Sequence, residues 1–114
     1  MEYQLDLMPI DTHKHIFVGE ENGAMARKAL ALDDKDADPH TYAIALPDEV
    51  TAFNTSFYLG LFYTSIERLG LKPFVAKYRL SLSAIESDEL REIIKENVER
   101  CRLDAMMEYS LRHG

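Results

Sequence analysis

A single cysteine, Cys101, is all that 114 residues offer for sulfur bonding, so no disulfide can form within the chain. A lone thiol suits a compartment where thiols stay reduced, and the cytoplasm is the expected location. Cationic residues are also scarce: thirteen Lys and Arg oppose twenty Asp and Glu, for a formal charge of −7. Phosphate-rich surfaces would be repelled by that balance, so neither direct nucleic-acid binding nor docking to an anionic membrane is expected. No apolar run approaches the ~20 residues that cross a bilayer. The opening Met1-Glu2-Tyr3-Gln4-Leu5-Asp6 lacks the basic leader and apolar stretch of a secretion signal. A glycine-rich phosphate loop, a nucleophile elbow and a metalloprotease signature are missing too. The chain is therefore expected to be no enzyme and to carry no cofactor.

What is present suits one domain spanning residues 1–114. Apolar residues make up 46% of the chain and charged residues 29%, enough to bury a core and unlike a disordered segment. Tyr3, Leu5 and Leu7 alternate with polar neighbours, which predicts a first strand over 3–7. His15-Ile16-Phe17-Val18 predicts a second strand that could form a hairpin with it, and Gly19 to Gly23 reads as a turn. Residues 24–32 are strong helix formers with Met25, Ala29 and Leu32 on one stripe. Asp33 to Asp38, a charged run ending at Pro39, reads as a solvated linker. Tyr42-Ala43-Ile44-Ala45-Leu46 is apolar throughout and predicts a central strand covered on both faces. Helical spacing returns over 54–69 and stops at Gly70. Alternation over 74–82 predicts a half-exposed strand with Lys77, Arg79 and Ser81 outward. Ser87-Asp88-Glu89 opens a last helix with Leu90, Ile93, Ile94, Val98, Cys101 and Ala105 on its buried stripe. The fold class that follows is α/β, with about four strands in a mixed sheet, three helices and a long C-terminal helix.

From Tyr42 to Gly70 the order is apolar strand, Pro-Asp-Glu-Val connection, Asn54-Thr55-Ser56-Phe57-Tyr58-Leu59-Gly60-Leu61-Phe62, then a helix ending in Leu69-Gly70. This pattern resembles the STAS-like domains of unknown function and, more distantly, the anti-sigma factor antagonists. The likeness spans about residues 15–100 and leaves 101–114 as a helical extension. It implies a STAS-like, non-enzymatic protein-interaction or regulatory module. In anti-sigma factor antagonists the matching place carries an Asp-Ser-Ser-Gly type sequence whose first hydroxyl residue accepts phosphate. By position, Thr55 would be that phosphoacceptor and Ser56 the second hydroxyl. Asn54 replaces the aspartate and Phe57 the glycine, so the carboxylate that could order the acceptor is missing. Asn54, Phe57 and Tyr58 would then flank a partner-binding surface. Asn, Thr and Ser before an apolar helix are also ordinary capping residues.

The excess length of the last helix carries Met106, Met107, Tyr109 and Leu111, an adaptable apolar set that fits a homodimer interface. A fold-back onto the sheet would occupy the same residues. His13 and His15 would share a face of an extended segment, but two imidazoles with no ligand-spaced third do not make a metal site. Cys101 sits on an apolar stripe and reads as a buried structural thiol. A rival reading takes the charge at face value: a small acidic inhibitor, of phage or mobile-element type, that occupies the basic nucleic-acid-binding surface of a partner protein.

Overall fold

The computed structural model describes residues 2–7, 16–48 and 50–113. Three strands, β1 (Glu2–Asp6), β3 (Thr41–Ala45) and β5 (Tyr78–Ser81), form a parallel sheet in the order β1-β3-β5. A second parallel pair joins β2 (Ile16–Phe17) to β4 (Ala52–Phe53). The helices are α1 (Glu20–Ala29), α2 (Leu32–Asp36), α3 (Thr55–Leu69), α4 (Leu71–Lys77) and α5 (Asp88–His113). The α/β class and the long last helix are as expected, while the sheet differs. It is parallel and divided three plus two, where one mixed four-stranded sheet was expected, and five helices are described instead of three.

Among the described residues the first two strands belong to different sheets, where a hairpin was expected. β1 pairs with β3, Leu5 opposite Ile44, and β2 pairs with β4, Phe17 opposite Phe53. Parallel neighbours need a long crossover, and α1 with α2 lies between β1 and β3 as α3 with α4 lies between β3 and β5. The central strand matches the apolar run: Tyr42 to Ala45 are all buried in β3. The expected His15 start of the second strand lies outside the described residues.

The stretch expected to be one strand from 74 to 82 is half helix. Phe74, Lys77 and Tyr78 are buried and recur at i, i+3, i+4, so residues that alternate also satisfy a helical period. Pro73 sits in the first turn of α4, where a missing N–H costs no intrahelical bond. Gly70, at φ 87°, ends α3 and starts α4 in a backbone region that other residues avoid. Lys77, expected on a wet face, is only 9% exposed.

α3 is the hub and packs against α1, α2, α4 and α5. Phe57, Tyr58, Leu61, Phe62, Ser65 and Ile66 are buried along it. α1 crosses α3 where Gly23 meets Gly60. A Cβ on Gly23 would lie 2.2 Å from the Phe57 carbonyl oxygen, and one on Gly60 would lie 2.1 Å from that of Glu20. The supposed turn at 19–23 is thus the start of α1, and its inner face is Gly23, Ala26 and Arg27. Met25 and Ala29, expected to be buried, are exposed because contact with α3 selects the face that lets the two backbones touch. α5 runs unbroken for 26 residues, ~39 Å at 1.5 Å per residue, along a molecule whose longest extent is 37 Å. Its inner stripe is Ile94, Cys101 and Ala105 with Leu90 and Val98 partly covered, but Ile93 is 52% exposed.

Candidate functional site

The start of α3 is assembled from three directions. Asn54 caps the helix, its Oδ1 accepting from Phe57 N–H at 3.0 Å and from Gly19 N–H at 3.4 Å. Its own N–H donates to the Phe17 carbonyl at 3.1 Å, which fixes the cap to the β2–β4 pair. Half-buried Thr55 donates its hydroxyl to Asp104 Oδ2 at 2.7 Å, tying the first turn of α3 to the C-terminal half of α5. Ser56 is exposed. Phe57 and Tyr58 are 1% and 4% exposed. Phe57 packs edge-on against Phe17 and Phe53, and Tyr58 against Phe62, so these two belong to the core and not to a contact surface. Beneath Thr55 lies Cys101, whose thiol is pushed up from its ordinary pKa chiefly by burial, as a structural cysteine should be.

The carboxylate at Thr55 was not legible locally because it comes from forty-nine residues away. Asn54 cannot supply it, and Asp104 does. The geometry gives a hydroxyl with one carboxylate acceptor at the positive end of a fifteen-residue helix.

A larger polar assembly lies where a linker was expected. Asp33 to Asp36 belong to α2, and Asp36 is buried with its side chain fully hidden. Arg27 Nη2 reaches Asp36 Oδ2 at 2.8 Å, Ser65 Oγ reaches Oδ1 at 2.7 Å, Tyr78 OH reaches Oδ1 at 2.7 Å, and Arg68 Nη1 reaches Oδ2 at 3.0 Å. Arg27 also holds Ser65 Oγ at 2.7 Å, the Leu61 carbonyl at 3.1 Å and Asp33 at 2.7 Å. Burial, then the bond to Asp36, raises the Tyr78 phenol well above its ordinary pKa, so it remains a donor. Next to it, Lys77 Nζ binds Asp38 Oδ1 at 2.9 Å and the carbonyls of Asp38 and His40 at 2.7 Å each. Tyr42 donates a short hydrogen bond to Asp38, and burial followed by that bond pushes its pKa up to about 12. Asp33, Asp36 and Asp38 of the acidic run are counter-charges for Arg27, Arg68 and Lys77. Their signal in the sequence was Arg27 itself, a charge on what becomes the inner face of α1.

Beside β5 a cavity of 230 Å³ is lined by Tyr58, Phe62, Phe74, Tyr78 and Val98 among others. Its two cations are already paired, Arg79 with Glu2 and Arg102 with Glu99. The C-terminal set divides: Met106 and Tyr109 are half-buried, Tyr109 packing toward the core, while Met107 and Leu111 are 66% and 77% exposed. Among the described residues no three His, Cys, Asp or Glu side chains gather as a metal site, and His13 and His15 lie outside them. No described helix is long and apolar enough to cross a membrane. No protein-family model, no curated protein and no solved structure matches this chain.

Proposed function

We propose that this protein is a non-enzymatic, STAS-like interaction module whose contact surface is the N-terminal end of α3, with Thr55 as the regulated hydroxyl and Ser56 as its exposed neighbour. The observation that carries the reading is the 2.7 Å bond from Thr55 to Asp104. On the STAS-like resemblance, this bond would give the Thr55 hydroxyl a carboxylate neighbour that Asn54 does not offer. A phosphate on Thr55 would bring about −1.5 to −2 charges against Asp104, break that bond and loosen the contact between α3 and α5. A partner reading this end of the molecule would then meet a different surface. The likeness of residues 42–70 to STAS-like sequences and the positive end of α3 support the same reading.

The acids give the inhibitor reading less support. Asp33, Asp36, Asp38 and Glu2 are used on the chain's own cations. Glu20, Glu21, Asp34, Glu89, Glu92 and Glu96 have no ion-pair partner among the described residues, and they divide among α1, α2 and α5. A partner pull-down with wild-type, Thr55→Val and Thr55→Glu baits, each first shown to be folded, tests the proposal. Loss of a specific partner with the Glu bait and its retention with the Val bait is expected. Equal capture by all three, above all of a basic nucleic-acid enzyme with strong salt sensitivity, would remove the switch and favour the acidic inhibitor.

A further inference from the structure

α5 carries a second apolar stripe on the side away from the core. Of the eight large apolar side chains exposed among the described residues, four lie on this helix: Ile93 at 52%, Leu103 at 57%, Met107 at 66% and Leu111 at 77%. Glu89, Ile93, Glu96, Arg100, Leu103 and Met107 recur at alternating intervals of four and three, and all six are exposed. That is the period of a coiled-coil seam. Ile94, Cys101 and Ala105 meanwhile face the core, so the seam is separate from the packing that holds α5 to its own domain.

We infer that this seam is the interface of an isologous homodimer in which two copies of α5 pack antiparallel about a two-fold axis level with Val98. The inference is independent of the Thr55 reading. It rests on self-complementarity. With the axis at residue 98, Ile93 of one copy stands opposite Leu103 of the other, and Glu96 stands opposite Arg100. The two-fold axis repeats each contact, giving two apolar layers enclosing two ion pairs. Neither Glu96 nor Arg100 has an ion-pair partner within the chain among the described residues, so both are available. A parallel pair would instead set Glu96 on Glu96 and Arg100 on Arg100. Antiparallel helices also oppose their dipoles, and Met107 lies level with Glu89 of the second copy, whose methylene stem can cover it. Met106 and Tyr109, turned inward, take no part.

Sedimentation velocity over a concentration series tests the assignment on the full chain. Wild type is expected to shift from 13.1 kDa toward twice that mass as concentration rises. Leu103→Glu, Glu96→Arg and Arg100→Glu should each weaken dimerisation by roughly tenfold or more. These positions are exposed, and unchanged circular dichroism and melting at low concentration will show that each variant folds. The double variant Glu96→Arg with Arg100→Glu should restore the dimer, because the pair is exchanged on both copies. A wild type that stays monomeric throughout, a dimer that survives Leu103→Glu, or a charge exchange that fails to restore association would each overturn the antiparallel seam.

Discussion

Asp36 shows how much a single side chain is asked to do. It is a carboxylate without solvent, and it persists because two guanidinium groups, a hydroxyl and a phenol reach it together. Replacing it by Ala leaves Arg27 buried beside Asp33 alone, and we expect a loss of ~3–5 kcal/mol in urea unfolding. Tyr78→Phe removes one donor and should cost about 1.5–3 kcal/mol, the range for a hydrogen bond to a charged group. Asp38 predicts a pH dependence. Its partial burial opposes ionisation, but the bonds from Lys77, Tyr42 and the His40 N–H outweigh it, and its pKa falls well below the ordinary 3.8. The unfolded chain therefore binds this proton more readily than the folded one. The stabilisation is complete above the unfolded value and drains away as pH falls below about 4. Comparing wild type with Lys77→Met should show a stability gap that is wide near neutral pH and narrows under acid. A gap that stays constant would remove Asp38 as its source.

Among elements, the crossing of α1 over α3 leaves no room for a Cβ at Gly23 or Gly60. Ala ordinarily favours a helix over Gly by about 1 kcal/mol. Here Gly23→Ala and Gly60→Ala each place a methyl group against backbone at 2.2 and 2.1 Å, so the helices must separate. A net destabilisation of ~1–3 kcal/mol is expected from the forced repacking, read as a lower melting temperature. Ala26, also buried on α1, would have been a poor guide to this, since small residues on a helix look alike in sequence whether they face solvent or a second backbone. The extents of α3 and α5 were legible, from their periodicity, the Asn54 cap and the acids opening α5, but not every face was: Ile93 is exposed, and Phe57 and Tyr58 are buried. α2 and α4 were not legible. Their five and seven residues are too short for a period to stand out, and one is almost wholly charged.

For the whole molecule, the bond from Thr55 to Asp104 joins the hub helix to the longest one. Thr55→Glu sets two carboxylates together at a partly exposed position and should destabilise by no more than ~1 kcal/mol, measured by chemical unfolding. Adding Asp104→Lys should recover that loss, and a failure to recover it would mean that the contact carries no coupling between the helices. The outer apolar stripe of α5 lies on the same helix as Asp104, the carboxylate that Thr55 of α3 reaches.

By itself the sequence determined the class, a buried strand over 42–46 that the structure forms at 41–45, a capped helix from about Asn54 and a long helix opened by Ser87-Asp88-Glu89. Each depends on local quantities: the period of apolar residues, a capping side chain, a glycine where φ turns positive. Only the tertiary structure decided which strands pair, which face of α1 is inward, that 33–38 is a helix feeding a buried charge cluster, and that Asp104 stands at Thr55. Those outcomes join residues nine to forty-nine positions apart, as Asp36 is joined to Arg27 and Thr55 to Asp104. A charge in a sequence reads as solvated until its counter-charge is placed beside it, because burial without a partner is forbidden and burial with one is not.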